Sequence, residues 1–231
     1  MSEPPLPASG GPSTARLALT LALAGLLSGL ALVIAYEVTL PRITANKAAA
    51  IKRAVLEVVP GSTQLRSLIW RDGALVASEE AGSDGFIYAA YDGAGAFRGY
   101  AIPGEGAGFQ DAIRLLYGFD PSAGNVVGMA ILESRETPGL GDKIYKDASF
   151  VAEFDALAVE PEIVATKEPS GAPNEVDAIT GATISSKAVV RIINGANAVW
   201  RDRLPPAGGE PALEPPGAGN EAASAEPGGT R

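Results

Sequence analysis

The sequence predicts an α+β protein in which a single N-terminal transmembrane helix precedes one domain with a largely antiparallel sheet and covering helices. Three observations support this fold class. A charge-free apolar run lies near the N-terminus, short β-rich runs alternate with turn signals, and a helical apolar pattern closes the domain. The 231 residues are enough for one anchor and one modest domain.

The N-terminal part of the chain divides into a tail and a membrane helix. Residues 1–15 are rich in Pro, Gly and Ser, a composition that predicts disorder because it buries too little apolar surface. Residues 16–37 contain the charge-free run Leu17 to Tyr36, and about twenty helical residues span the ~30 Å hydrocarbon core of a bilayer. We therefore expect a single-pass anchor in the lipid bilayer. A cleaved signal peptide is the alternative, but the run is longer than a typical signal core and has neither a basic n-region nor a convincing A-x-A cleavage site.

Residues 38–60 are predicted to continue the membrane helix as a stalk. Their apolar side chains follow the spacing of an amphipathic helix. These side chains are Ile51, Ala54, Val55, Val58 and Val59. The Pro60-Gly61 pair is expected to end the stalk.

Residues 61–203 are predicted to form the domain. Five β-rich runs are separated by Asp-Gly, Gly-Ala-Gly and Asp-Pro-Ser turn signals. The runs are Gln64 to Trp70, Phe86 to Tyr91, Phe97 to Ile102, Ile113 to Tyr117 and Val126 to Leu132. Helices are predicted from Ser149 to Leu157 and from Ser185 to Trp200, and residues 204–231 are predicted to be a disordered tail rich in Pro, Gly, Ala and Glu.

The composition excludes several classes of chemistry. The chain has no cysteine and no histidine, which excludes disulfides, iron–sulfur ligation and thiol nucleophiles and removes the usual general base. We expect no metal site and no catalytic side chain, so any redox chemistry must come from an organic cofactor. The net charge of -9 argues against a nucleic-acid partner, because such partners are bound by basic patches.

Small and hydroxyl-bearing residues lead into the last predicted helix, in the run DAITGATISS over residues 177–186. The start of a helix presents unpaired backbone N–H groups, and Gly181 and Ala182 leave room for a phosphate to approach them. Simple capping of the helix by Ser and Thr is the alternative, and the residues taken alone favour it. Because no histidine is available to activate a threonine, a covalent bond at Thr183 must be made by a separate enzyme.

This run resembles the S/T-G-A-T flavinylation motif of the FMN-binding domain family. The family includes the G subunit of the Rnf-type ion-translocating electron transport complex and the C subunit of the sodium-translocating NADH:quinone reductase. The resemblance implies that a flavin transferase joins the FMN phosphate to Thr183 as a phosphoester. It also implies that Asp177, Thr180, Gly181 and Ala182 complete the signal that the transferase reads.

A second run, ETPGLGDK over residues 136–143, resembles a block of the same family that lies near the flavin. Without the resemblance, Pro138-Gly139 is a type II turn and the flanking charges are solvated. With it, the turn is expected to bring backbone N–H groups and side chains against the isoalloxazine ring. The residues expected to bind the flavin are Glu136, Thr137, Leu140, Gly141 and Lys143. A weaker match, Gly104 to Phe109, corresponds to a Gly-rich turn that would allow close approach of a planar ligand.

The resemblance implies an electron-relay subunit of a complex that couples ferredoxin/NAD-type electron transfer to ion translocation. Such a redox subunit is not a complete enzyme by itself, and its partners are the other subunits of the complex. The order of the motifs and the chain length favour the Rnf-type subunit. A non-redox assembly module and a self-contained flavin reductase are the alternatives, although no nicotinamide-binding G-x-G-x-x-G follows a strand.

The side of the membrane stays open at this point. The resemblance implies the bacterial inner membrane, with the domain on the periplasmic side. By contrast, four basic residues follow the membrane helix and favour the cytoplasm under the positive-inside rule, which weakens when a long domain follows. They are Arg42, Lys47, Lys52 and Arg53.

Overall fold

The computed structural model describes residues 13–78, 86–206 and 208–213. The chain divides into two compact units, Met1–Lys47 and Ala48–Arg231. Helix α1 spans Thr14–Val58 and includes Pro41. Within the first unit the helix is long and apolar enough to cross a bilayer, and its leucines are exposed. The helix includes Thr14 and Ala15, which the composition placed in a disordered tail, whereas residues 1–12 lie outside the described residues.

The second unit contains a seven-stranded sheet in which all neighbouring strands are antiparallel, with the order β2-β1-β3-β4-β5-β6-β7. Its strands are β1 (Gln64–Arg71), β2 (Ala74–Ala77), β3 (Phe86–Tyr91), β4 (Phe97–Ala107), β5 (Ala112–Asp120), β6 (Asn125–Ser134) and β7 (Leu157–Ala158). A separate parallel pair is formed by β8 (Val164–Thr166) and β9 (Glu175–Asp177). The helices are α2 (Lys143–Lys146), α3 (Ala148–Ala152) and α4 (Thr183–Trp200). The predicted α+β fold with a largely antiparallel sheet is confirmed.

Helix α4 covers one face of the sheet and forms the main core with it. Tyr117 of β5 is buried, and its hydroxyl donates to Asn197 Oδ1 at 2.7 Å. A β-carbon at Gly104 or Gly106 of β4 would lie 2.6 or 2.7 Å from the Ile192 side chain. These two glycines therefore let α4 rest closely on β4. The expectation of a Gly-rich turn over Gly104 to Phe109 is wrong for residues 104–107, which belong to a strand whose glycines face a helix, whereas Gly108 and Phe109 lie in the turn that follows.

The other face of the sheet receives the last turns of α1. Ala54, Val55 and Val58 are buried there in a small cluster with residues of β3, β4 and β5. Gly118 and Gly128 are direct partners in the β5–β6 ladder. A β-carbon would lie 1.9 Å from the Val58 carbonyl oxygen at Gly118 and 2.7 Å from it at Gly128. This glycine pair forms a seat for the end of α1, so that residues 48–58 belong to the same compact unit as the domain.

The predicted helix from Ser149 to Leu157 is shorter in the structure, where α3 ends at Ala152. Asp147 begins α3 by accepting a hydrogen bond from the Ser149 backbone N–H at 3.1 Å. Leu157 instead pairs with Val126 as part of β7. The pairing at the sheet edge overrides the local helical pattern.

Part of the predicted C-terminal tail packs on the domain. Arg66 Nη1 donates to the Ala212 carbonyl at 2.8 Å, and the Tyr91 hydroxyl donates to the Pro211 carbonyl. Leu204 and Leu213 contact the main core. The prediction of disorder is wrong for residues 204–206 and 208–213, because single leucines and backbone carbonyls supply contacts that an average composition does not reveal. Residues 207 and 214–231 of the predicted tail lie outside the described residues.

Candidate functional site

The hydroxyl groups at the start of α4 do not cap the helix. Thr183 is its first residue, and the preceding Ala182 offers no side-chain acceptor. Thr183 Oγ1 donates to the Ile179 carbonyl at 3.4 Å, and Ser186 Oγ donates to the Ala182 carbonyl at 3.0 Å. Ser185 Oγ donates to a carboxylate on another loop. The capping interpretation of this run is therefore wrong.

The start of α4 consequently keeps free hydrogen-bond donors. Among the described residues, no group accepts from the backbone N–H of Thr183, Ile184 or Ser185. These groups carry the positive end of the helix dipole, and together they suit an anion such as a phosphate. The Thr183 side chain is only half-buried, so its hydroxyl lies at the edge of this donor group.

The two sequence motifs meet in the structure. Gly181 adopts a left-handed φ of 85° in the turn before α4, and a β-carbon there would lie 3.4 Å from Leu140 Cδ2. Gly139 also has a positive φ, 79°, which agrees with the predicted type II turn. At Gly141 a β-carbon would lie 2.9 Å from Ser185 Oγ, so the second motif lies directly against the start of α4.

Glu136 lies beneath this junction and is only 5% exposed. Its Oε1 accepts from the backbone N–H groups of Phe109 and Gln110 at 2.9 and 3.0 Å, and its Oε2 accepts from Ser185 Oγ at 2.5 Å. Burial acts to raise the pKa of Glu136, but these hydrogen bonds outweigh it and hold the pKa below its usual range. The carboxylate thereby connects the β4–β5 loop, the second motif and α4.

A cavity of about 330 Å³ opens where these segments converge. Six residues predicted for the site line it: Thr137, Leu140, Gly141, Gly181, Ala182 and Thr183. Four lining residues were not predicted to bind the flavin: Phe109, Lys167, Ile184 and Ser185. Phe109 is the last residue of the weaker Gly104 to Phe109 match, and Ile184 and Ser185 directly follow Thr183. The sequence motifs could therefore have indicated these three residues. No motif indicated Lys167.

Four predicted residues do not line the cavity. Glu136 is buried and does not reach the lining of the cavity, and Thr180 is an exposed residue of a turn. The backbone N–H of Asp177, in β9, donates to Glu153 Oε2 at 2.5 Å. Lys143 is the first residue of α2, where its charge contributes to lowering the pKa of Asp147, after the larger effect of hydrogen bonds from Ser149. The structure therefore places these residues around the site and not in it.

The residues that line the cavity suit the apolar ring and the anionic phosphate of FMN. Phe109, Leu140 and Ile184 are 64%, 48% and 56% exposed, and such large apolar side chains at a cavity suit a planar ring. The free N–H groups of α4 and the Lys167 ammonium group suit a phosphate. A larger cavity of about 920 Å³ lies near the other end of α4, but it contains none of the residues predicted for the site.

Comparison with known proteins agrees with this assignment. A family model described as an FMN-binding domain matches residues 108–198, which include every residue that lines the cavity. The chain is 40% identical over 102 residues to the G subunit of the proton-translocating ferredoxin:NAD(+) oxidoreductase complex of Clostridium ljungdahlii, covering 42% of this chain and 50% of the relative. It is 31% identical over 161 residues to the G subunit of the ion-translocating oxidoreductase complex of Haemophilus influenzae, covering 67% and 74%. The alignments with the first curated relatives span about half of their length.

A solved structure shares the fold. The C subunit of the Na(+)-translocating NADH-quinone reductase from Parabacteroides distasonis superposes with a TM-score of 0.55 at 17% identity, covering 70% of this chain and 95% of that one. At this level of identity the likeness concerns the fold alone.

Proposed function

Because this chain belongs to the family of G subunits of ion-translocating oxidoreductase complexes, we propose that it is the membrane-anchored electron-relay subunit of such a complex. In this proposal the complex transfers electrons between ferredoxin and NAD. The relative from Clostridium ljungdahlii is named as a subunit of a complex of that kind. The observation that carries the proposal is the single cavity in which Thr183, free backbone donors and exposed apolar side chains converge.

Thr183 Oγ1 is the proposed attachment point of FMN, through an ester bond to the flavin phosphate. Its proton must pass to a base while an activated phosphoryl donor, a phosphoanhydride of FMN, loses its leaving group. Among the described residues, the lining of the cavity contains no histidine and no carboxylate, which are the usual bases. A separate flavin transferase must therefore supply the base and the activated donor.

The residues of the cavity would hold the cofactor in place. When bound, FMN supplies reversible uptake and release of electrons. The backbone N–H groups of Thr183, Ile184 and Ser185 hold the phosphate, and Phe109 and Leu140 exclude water from the ring. Glu136 orients the three segments that carry these groups, which are the β4–β5 loop, the second motif and the start of α4.

The membrane helix would place this relay beside its partner subunits. The run from Leu17 to Tyr36 contains no charged residue, so ion movement has to run through other subunits. We place the domain on the periplasmic side of the inner membrane. A covalent bond is useful there because a tethered flavin is not lost by dissociation.

Replacing Thr183 tests the attachment. Thr183→Ala is expected to abolish covalent flavin, whereas Thr183→Ser keeps a hydroxyl at the same place and retains it. Each variant is made together with the flavin transferase, and covalent flavin is read as in-gel fluorescence after denaturation and as intact-protein mass. Thr180→Ala is the comparison, because Thr180 carries the nearest alternative hydroxyl in the motif.

Flavin mass that persists in Thr183→Ala but disappears in Thr180→Ala would show that the wrong hydroxyl was chosen. A wild-type chain without flavin, made in the presence of the transferase, would favour a non-redox assembly module instead.

A further inference from the structure

The parallel β8–β9 pair brings Lys167 to the flavin cavity. Thr166 is the register partner of Asp177, the first residue of the flavinylation motif. The Ala178 backbone N–H donates to the Thr166 carbonyl at 2.6 Å, which extends the pairing by one residue. Lys167 therefore follows a strand that is bonded to the segment entering the Thr180–Gly181 turn, on the side of the cavity where α4 begins.

Lys167 is also the one charged side chain among the described residues that line this cavity. No described residue forms an ion pair or hydrogen bond with its ammonium group. The buried carboxylate of the site, Glu136, does not line the cavity and already accepts three hydrogen bonds. The cavity thus contains one unpaired cation and no competing anion of its own.

We propose that the Lys167 ammonium group pairs with the phosphate of FMN bound at Thr183, an inference that rests on the proposed function. A phosphodiester carries one full negative charge on two free oxygens. A helix start supplies only about half a unit of positive charge, so a full cation completes the neutralisation. Lys167 lies beside the Thr180–Gly181 turn, next to the proposed attachment point of the phosphate. Phe109, which suits the ring, belongs to the separate loop between β4 and β5. This arrangement favours contact of Lys167 with the phosphate over contact with the ring.

This pairing gives the cavity its preference for the phosphorylated flavin. Riboflavin carries the same ring but no phosphate, so it would leave both Lys167 and the α4 donors without a partner. Because Lys167 is exposed, water would replace the phosphate at its ammonium group, so the preference for the phosphorylated flavin is expected to be modest.

Lysine acylation tests the contact on the wild-type full chain in detergent. The chain is prepared with and without the flavin transferase, and intact mass shows how much of each preparation carries flavin. Both are treated with an acetylating reagent, and peptide mass spectrometry measures acetylation at Lys167 and at Lys187. Lys187 is the matched control, because it is exposed and lies one turn after Thr183 but does not line the cavity.

Acetylation of Lys167 is expected to slow by more than about fivefold in the flavin-bearing chain, because an amine paired with a phosphate is covered from the reagent. Lys187 is expected to react equally in both preparations. Equal acetylation of Lys167 with and without flavin would overturn the proposal. A preparation that carries no flavin mass would contradict the proposed function itself, which separates the two failures.

Phosphorus NMR distinguishes the phosphate from the ring. The resonance of the flavin phosphate is expected to move in Lys167→Gln and to stay at the wild-type position in Lys187→Gln and Lys167→Arg. The flavin reduction potential is expected to be the same in all four proteins. An unmoved phosphate resonance together with a changed potential in Lys167→Gln would show that the lysine faces the ring, and the proposal would be wrong.

Discussion

At the scale of single residues, the candidate site depends on one buried carboxylate that holds neighbouring segments together. Glu136 accepts hydrogen bonds from two backbone groups of the β4–β5 loop and from Ser185 of α4. The geometry of these bonds cannot be read from the sequence, which shows only an acidic residue in a loop. The sequence motif predicts that Glu136 binds the flavin, which stays a prediction, whereas the structure shows that its carboxylate joins three segments of the domain.

Glu136→Ala is expected to lower the free energy of unfolding by about 2 kcal/mol, because buried donors left without acceptors cost about 1–3 kcal/mol. Urea unfolding followed by tryptophan fluorescence measures the change, since both tryptophans, Trp70 and Trp200, lie in the second unit. Glu133→Ala is the matched control, because Glu133 is exposed and its change is expected to be within ~0.5 kcal/mol of zero. An equal loss in both variants would show that Glu136 is not a special anchor.

The same carboxylate predicts a dependence of stability on pH. The pKa of Glu136 is lowered in the folded state, so its contribution is fully present above the unfolded value of about 4.3. The contribution is lost as the pH falls through the lower folded value. The stability difference between the wild type and Glu136→Gln is therefore expected to shrink below about pH 4 and to be constant above about pH 6. A difference that does not change between pH 3 and pH 7 would contradict the assigned pKa direction.

At the scale of secondary-structure elements, the end of α1 is held by close contact between backbones. The seat formed by Gly118 and Gly128 admits the Val58 carbonyl where any side chain would collide with it. The sequence predicted both the helix and the two strands, but nothing in their local patterns indicated that these glycines face a helix end. The contact joins positions 60 or more residues apart, and it needs the two glycines to be paired on neighbouring strands.

Gly118→Ala is expected to destabilise the domain by about 1–3 kcal/mol or more, because its β-carbon would lie 1.9 Å from the Val58 carbonyl oxygen. Gly195→Ala is the matched control, since Gly195 lies in α4 with no atom within 4 Å of the added carbon. The control is expected to be neutral or to gain up to about 1 kcal/mol from helix propensity. Urea unfolding of the full chain measures both, and a stable Gly118→Ala protein would show that α1 is not seated on this pair.

At the scale of the whole molecule, the side of the membrane decides how the relay meets its partners. The four basic residues after the membrane helix favour the cytoplasm, whereas the resemblance to the family implies the periplasmic side that we propose. A domain of this length translocates largely regardless of such charges. We therefore follow the family and expect the domain outside the cytoplasm.

Ala94→Cys tests this orientation, because the natural chain has no cysteine and gives no labelling background. Ala94 is exposed in the loop between β3 and β4. In intact cells whose outer membrane has been permeabilised, a maleimide that cannot cross the inner membrane is expected to label Ala94→Cys. It is expected to label Ser9→Cys, in the N-terminal tail, only after the inner membrane is broken. The reverse pattern would place the domain in the cytoplasm.

The sequence by itself determined the apolar helix, the five central strands, the last helix and the motif that ends at Thr183. Each of these depends on periodicity or turn chemistry within a short window, which local physical chemistry controls. Only the tertiary structure decided that Lys167 lines the cavity while Lys143 and Glu136 do not. It also decided that Gly104 and Gly106 face a helix. These outcomes depend on strand register and on burial between distant segments, and a one-residue change of register would turn every side chain of a strand to the other face.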